Sequence, residues 1–234
     1  LTQWFGGMGI IMLGMMILSR VIGGGMALAR AELTGPSLSR LRPKLKQTAF
    51  ALWGLSIFLT VFEFLLLYFT GAMDLFDSIN HALTTMSSGG FSTHDASIGF
   101  YDSFLVESII IVFMFLAGVN FTLLWFIRDG DFKRAFGDEE FRNYVIYITV
   151  GILAVFIALL ASGTSAGRAL RDSMFQVVSF GTSTGYTSTS YMDTSWPLVT
   201  HLIIFILMIV GASAGSTAGG LKLLRVTLAF KVAM

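Results

Sequence analysis

Two short stretches carry hydroxyls, glycines and an aromatic ring in the same order. One is Ser179-Phe180-Gly181-Thr182-Ser183-Thr184-Gly185-Tyr186-Thr187-Ser188, the other Thr85-Met86-Ser87-Ser88-Gly89-Gly90-Phe91-Ser92-Thr93. Gly90-Phe91 and Gly185-Tyr186 stand 95 positions apart. A dehydrated cation needs oxygen ligands in place of its water, and rings of backbone carbonyls supply them in cation filters. Aiming consecutive carbonyls inward requires dihedrals that glycine accepts most readily. Gly90 and Gly185 fill that role. The carbonyls expected to line an ion path belong to Ser88, Gly89, Gly90 and Phe91, and to Ser183, Thr184, Gly185 and Tyr186. Phe91 and Tyr186 are expected to pack outward and hold each loop in shape.

Each stretch follows a short amphipathic helix and lies between long apolar segments. The first helix is read over Met73–Met86, with Leu75, Phe76, Ile79 and Leu83 at helical spacing and Asp74 and Asp77 in its first turn. Carboxylates are favoured there by the helix dipole, and the negative far end would point at a cation. The second is read over Arg168–Phe180, with Leu170, Met174, Val177 and Val178 on one face. A polar glycine-bearing loop cannot face lipid, because its backbone groups would lack partners. The expectation is a re-entrant ion-selectivity loop, present twice. A plain extracellular turn rich in Ser, Thr and Gly is the alternative for one such loop; two matching copies after matching helices weigh against it.

Composition bounds the class. The chain is 55% hydrophobic and 12% charged, against roughly 25% charged in a soluble domain. Net charge is +1, which leaves no nucleic-acid footprint. With no cysteine, thiol chemistry is excluded and the redox compartment is unreadable. The apolar run under way at Leu1 has no charged n-region before it, so it reads as an internal piece rather than a signal peptide.

The elements that position the loops follow from hydropathy. Spans are expected over Leu1–Ser19, Gln47–Phe69, Ser108–Ile127 without interruption, Asn143–Gly167, and the uncharged stretch Trp196–Leu221. The Gly6-Gly7-Met8-Gly9 cluster suggests close helix contact. All lysines and arginines except Arg168 and Arg171 lie in Arg20–Lys46, Arg128–Arg142 and Lys222–Lys231. By the positive-inside rule those connections are cytoplasmic and both loops are on the outer face. The expected fold is an all-α polytopic membrane protein of repeated span–pore helix–filter loop–span units.

A third stretch, Gly211-Ala212-Ser213-Ala214-Gly215-Ser216-Thr217-Ala218-Gly219-Gly220, has only small side chains. Gly211, Gly215 and Gly219 fit a helix-packing G-x-x-x-G seam. The same glycines and hydroxyls equally fit a helix broken below the filter. Gly211-Ala212-Ser213-Ala214-Gly215 also matches a hydrolase elbow, which makes an intramembrane serine hydrolase at Ser213 a remote alternative; no His follows it. Gly215 to Lys222 fails as a P-loop, since Leu221 separates Gly220 from Lys222 and Leu223 stands where a hydroxyl is needed.

The isolated polar residues read two ways each. Glu63 is an ion-attracting carboxylate or an interfacial or helix-paired one, the latter being the plainer reading. Glu107 reads as interfacial. Asn120 bridges helices or lines a cavity. His81, His94 and His201 have no metal-ligand spacing, and His94 reads as a solvated surface residue that could titrate.

Three motifs carry a family resemblance: Gln3-Trp4-Phe5-Gly6-Gly7-Met8-Gly9-Ile10-Ile11, then Gly89-Gly90-Phe91-Ser92-Thr93-His94-Asp95-Ala96-Ser97-Ile98-Gly99, then Ala214-Gly215-Ser216-Thr217-Ala218-Gly219-Gly220-Leu221-Lys222. Together they resemble the TrkH-type membrane subunits of potassium transporters (the Trk/Ktr/HKT superfamily), over essentially the whole chain. The resemblance implies four span–pore–span units around one pore. Residues 1–46 would be the last helix of a first unit with its cytoplasmic connection, 47–142 a second unit and 143–234 a third. It implies that 211–220 is an intramembrane gate loop, and that K⁺ at the filter is the transported ion, with no cofactor. It further implies a bacterial inner membrane location, a homodimer of the full-length chain, and a cytosolic nucleotide-binding regulatory subunit (TrkA-like). Thr184 and Tyr186 depart from the family's commoner Ala-Gly-Phe ending, which bears on K⁺ over Na⁺ preference. A Na⁺-permeable or ion-coupled transporter of the same superfamily is the rival reading.

Overall fold

The computed structural model describes residues 1–9, 38–190 and 196–233, without the side chains of 8, 9, 38–49, 230 and 233. Most of the expected first span, most of the connection from Arg20 to Lys46, and Tyr191 at the end of the second loop lie outside the described residues. A short helical start, Thr2–Trp4, runs into a π-helical turn, Phe5–Gly9. The helices that follow are α1 (Leu38–Phe69), α2 (Leu75–Met86), α3 (Phe104–Gly118), α4 (Phe121–Arg128), α5 (Phe132–Phe136), α6 (Glu139–Ala161), α7 (Ala166–Gly181), α8 (Leu198–Ile209) and α9 (Leu223–Ala233).

Phe50–Phe69 and Glu139–Ala161 are long and apolar enough to cross a membrane. The latter spans about 35 Å at the helical rise of 1.5 Å per residue. Only 28% of either apolar window is buried. Phe58, Phe62 and Phe69 on α1 and Val150, Leu153 and Ile157 on α6 face outward, as lipid-facing side chains do. α6 starts at Asp138, whose carboxylate accepts from the Phe141 amide, with Glu139 and Glu140 in its first turn. It ends where Gly163 takes φ +90° and the Gly163 and Thr164 amides return to the Leu160 and Leu159 carbonyls.

The expected third span is not continuous. α3 and α4 form one apolar run bent by 107° at Val119-Asn120. A Cβ on Gly118 would stand 2.4 Å from the Tyr144 hydroxyl, so α6 presses on α3 just where it stops. The carbonyls freed at Ala117 and Gly118 accept from the Thr217 and Ser213 amides at 3.3 and 3.2 Å. Asn120 caps α4 by accepting from the Thr122 amide at 2.9 Å. Its side chain also lies against Gly215.

α1 packs on α2, and α6 packs on α7 more extensively than any other described pair. α3 leans on both α2 and α7, so it is the element that joins the two short helices. The main buried cluster gathers Met86, Met114, Phe121, Tyr144, Phe175 and Tyr186 around that junction.

Candidate ion pathway

The two short helices end alike. α2 is capped at its start by Asp74, whose carboxylate accepts from the Asp77 amide at 2.7 Å. α7 follows Ser165. At the C-terminal ends, the Gly89 and Gly90 amides donate to Thr84 O at 2.8 and 3.4 Å; the Thr184 and Gly185 amides donate to Ser179 O at 2.8 and 3.3 Å. Thr84 Oγ1 lies 3.0 Å from Phe91 O, and Ser179 Oγ donates to Tyr186 O at 2.7 Å. These partners correspond position for position at the spacing of the two stretches.

The dihedrals correspond too. Ser88 and Ser183 have φ +51° and +57°, and Gly90 and Gly185 have φ +64° and +88°. Left-handed serine is costly for an L-residue, by about 1 kcal/mol or more, and such strain clusters at functional sites. Alternating these residues with ordinary ones turns successive carbonyls, as a carbonyl-lined path requires.

The loops touch. A Cβ on Gly90 would fall 1.8 Å from Thr184 O, so only glycine permits the approach. The Gly99 amide donates to Thr187 O at 3.1 Å and the Thr187 amide to Ser97 Oγ at 3.2 Å. Tyr186 is fully buried and its hydroxyl lies 2.5 Å from Thr84 Oγ1. Phe91, expected to play the same part, is instead 69% exposed among the described residues. The tyrosine finds a pocket beside α2, whereas the phenylalanine has no described element over it. From the other side, Gly7 lies against Ser87 and Gln3 against Gly89, which accounts for the glycine at position 7.

Outside the first loop, Asp77 accepts from Thr93 at 2.6 Å and Tyr101 at 2.7 Å, and pairs with His94 Nε2 at 2.9 Å. Burial works against its charge, but the hydrogen bonds from Thr93, Tyr101 and His94 outweigh it and hold the carboxyl at about 2. His94 is therefore no free surface residue; it also stacks on Phe100 at 3.7 Å. His81 Nδ1 donates to Asp77 O, so its Nε2 accepts from Ser92 Oγ at 3.0 Å. Glu107 is buried rather than interfacial, and Arg171 of α7 grips both its oxygens at 2.7 and 3.0 Å. That bridge ties α3 to the second short helix.

Residues 211–220 are not helical: α8 stops at Ile209 and α9 begins at Leu223. The packing-seam reading, which needs a continuous helix, does not hold. A Cβ on Gly211 would lie 1.9 Å from Gly219 O, and Gly215 and Gly220 take φ +70° and +72°. The segment doubles back, with the Gly211 amide on Leu221 O at 2.8 Å. Its backbone groups are met by the break in α3–α4: Thr217 and Ser213 donate there, and Gly215 O accepts from the Phe121 amide at 3.2 Å. Two broken helices thus satisfy one another, which is how irregular backbone survives at membrane depth.

This segment lies against both loops. Ser88 Oγ is 2.9 Å from Thr217 Oγ1. A Cβ on Gly219 would be 3.7 Å from Ser183 Cβ. Three contacts were invisible in the sequence. Glu140 accepts from the Ala214 amide, Lys222 donates to Ala218 O, and the Tyr147 hydroxyl sits 2.5 Å from Val210 O. Ser213 Oγ is buried without a hydrogen-bond partner among the described residues, so no base engages it.

An all-α polytopic membrane protein, with two short helix–loop elements packed against two interrupted helices, is the class these elements define. The chain belongs to the TrkH family of cation transport proteins, whose family model matches residues 1–234. The hydrolase alternative falls with that membership. The chain is 40% identical to the Trk system potassium uptake protein TrkH of Escherichia coli (strain K12), across 99% of this chain and 48% of the relative. It is 32% identical to the Trk system potassium uptake protein TrkI of Halomonas elongata, across 100% of this chain and 46% of that protein. The crystal structure of the potassium transporter TrkH from Vibrio parahaemolyticus superposes with a TM-score of 0.79 at 34% identity, covering 97% of this chain and 46% of that one. The chain spans about half the length of the curated relatives it matches.

Proposed function

We propose that this chain supplies two of the pore loops of a potassium uptake protein. K⁺ would be held by the carbonyls of Ser88, Gly89, Gly90 and Phe91 and of Ser183, Thr184, Gly185 and Tyr186. The observation that carries this reading is the matched pair of left-handed positions, Ser88 with Gly90 and Ser183 with Gly185, at the ends of two short helices. Relatives named for potassium uptake support the ion. Residues 1–46, 47–142 and 143–234 are read as the end of one unit and two whole units of a larger ring, and 211–220 as its gate. The Lys- and Arg-rich connections support a bacterial inner membrane location with both filter loops on the outer side. The full-length chain would work as a homodimer with a cytosolic nucleotide-binding regulatory subunit.

The test uses the full-length protein in cells that need a potassium uptake system to grow. Growth on low K⁺, lost when Gly185 becomes Ser while the protein still reaches the membrane, supports the reading. Undiminished K⁺ uptake and an unchanged K⁺/Na⁺ ratio in Gly185→Ser would remove this loop from the filter. The Na⁺-permeable alternative, which the departures at Thr184 and Tyr186 keep open, predicts Na⁺ flux equal to or above K⁺ flux in the wild type.

A further inference from the structure

The segment that follows the first loop is anchored on both sides. Ser97–Tyr101 is a 3₁₀ turn closed by Asp102. Tyr101 donates to Asp77 of α2 at 2.7 Å. Thr187 of the second loop is held twice: its carbonyl accepts from the Gly99 amide at 3.1 Å, and its amide donates to Ser97 Oγ at 3.2 Å. Asp102 Oδ1 accepts from Arg171 of α7 at 3.0 Å. One short segment thus reaches the helix before the first loop, the second loop itself, and the helix before the second loop. Ile98 within it is fully buried, so the segment is packed as well as bonded.

Its shape is not one the chain adopts freely. Ser97 has φ +54° and Asp102 φ +38°, left-handed values that an L-residue holds only where its neighbours impose them. The Asp102 side chain is 88% exposed, so its pairing with Arg171 would by itself be screened and weak. What makes it firm is the other side of the arginine. The Glu107 side chain is 3% exposed and accepts from Nε at 2.7 Å and from Nη2 at 3.0 Å. A two-pronged bond to a buried carboxylate fixes the guanidinium plane, and the second hydrogen of Nη2 goes to Asp102. Lysine, a point charge on a flexible stem, cannot divide itself in this way. The loops also meet directly at Gly90 and Thr184. Contact sets their approach there, and the 97–102 segment sets it further along, at Thr187.

We infer that residues 97–102 form a brace that sets the spacing of the two loops, with Arg171 the positioning residue that fastens the brace to α7. A brace of this kind holds facing carbonyls at a fixed separation and so favours one ion size. That role in selectivity rests on the filter reading; the mechanical link between the loops does not. Gly99 offers a separate way to disturb it, since a Cβ there would lie 2.5 Å from Ser188 O.

Full-length protein in liposomes provides the test, with wild type, R171K, R171Q/E107Q and Gly99→Ala compared. Hydrogen–deuterium exchange is followed by mass spectrometry over residues 94–102 and 183–190, with α6 as control, and K⁺/Na⁺ flux ratios are measured beside it. R171Q/E107Q removes both charges together, so no unpaired charge is left buried. Gly99→Ala works from the opposite anchor and keeps every charge. For both, exchange over 94–102 and 183–190 should be roughly five- to tenfold faster, the size of one lost hydrogen bond, with α6 unchanged. The flux ratio should fall by a similar factor, and R171K should lie between these variants and wild type. If R171Q/E107Q does not assemble, Gly99→Ala and R171K still decide. Unchanged exchange over 183–190 in either well-assembled variant would overturn the brace. So would equal acceleration in α6, the mark of a general loss of stability. R171K indistinguishable from wild type would overturn the part given to the arginine. Faster exchange with an unaltered flux ratio would overturn the role in selectivity, unless Gly185→Ser is equally silent. In that case the filter reading has failed, and exchange alone judges the brace.

Discussion

Tyr186 of the second loop places its hydroxyl 2.5 Å from Thr84 Oγ1, the same oxygen that lies 3.0 Å from the Phe91 carbonyl of the first loop. One threonine therefore couples a side chain of one loop to the backbone of the other. Thr84 has a single proton, so the tyrosine donates and the threonine passes its own proton on to a carbonyl. The Tyr186→Phe variant keeps the ring and removes the donor. It should cost about 1 kcal/mol of stability and leave K⁺ uptake in place. Thr84→Val loses both contacts and should cost more, with uptake reduced. Thermal unfolding of the full-length protein in detergent, beside uptake in cells, checks the order.

Gly90 and Gly185 share a left-handed backbone but not a neighbourhood. A Cβ on Gly90 meets Thr184 O at 1.8 Å; a Cβ on Gly185 meets nothing within 4 Å. Alanine at 185 should carry only the backbone penalty, about 1 kcal/mol. Alanine at 90 must also push the two loops apart. Gly90→Ala is expected to abolish uptake or assembly where Gly185→Ala leaves a folded protein with impaired selectivity. Equal effects from the two variants would contradict the close approach.

Asp77 links pH to the outer end of the first loop. Its carboxyl is held at about 2, below the ordinary Asp value of roughly 3.9. A depressed carboxyl contributes stability that is present above its unfolded pKa and is lost as pH falls through the folded one. Its contribution should therefore be constant from neutral pH down to roughly pH 4 and disappear towards pH 2. Asp77→Asn should destabilise by about 1–3 kcal/mol, equally at pH 5 and pH 8. Unfolding curves of variant and wild type at the two pH values give the comparison.

The interrupted segment 211–220 is latched from α6, where Glu140 accepts from the Ala214 amide. As the gate of the proposed pore, it should open more readily when the latch is removed. Glu140→Ala should raise K⁺ flux and weaken its dependence on the regulatory subunit. Deleting residues within Ala212–Ala218 should do so more strongly. Flux in proteoliposomes, with assembly checked by size-exclusion profile, is the measurement. A well-assembled deletion whose flux is not raised would sink the gate.

Much of this molecule can be read from residue types. The long apolar runs place α1 and α6, and the amphipathic spacing from Leu75 to Leu83 places α2. The break at Val119-Asn120 cannot be read that way. Gly118-Val119-Asn120 is compatible with a helix locally, and what ends it is the Tyr144 hydroxyl pressing on Gly118 together with amides arriving from Ser213 and Thr217. Those are contacts between residues far apart in the chain. The same holds for Glu63: a carboxylate in an apolar run is conspicuous, but only packing shows that it is fully buried rather than interfacial. The unequal surroundings of Phe91 and Tyr186 are likewise set by tertiary neighbours that equivalent sequence positions do not reveal.

The central claim is that a potassium-sized cation sits among the carbonyls of residues 88–91 and 183–186. Crystals of the full-length protein soaked in rubidium, with anomalous scattering recorded at the rubidium edge, test it most directly. The account predicts an anomalous peak within carbonyl distance of both loops, on the opposite side of Ser88 and Ser183 from the loop's packed rear, and weakened in Gly185→Ser. Rubidium peaks elsewhere in the molecule, with none between the two loops, would contradict it.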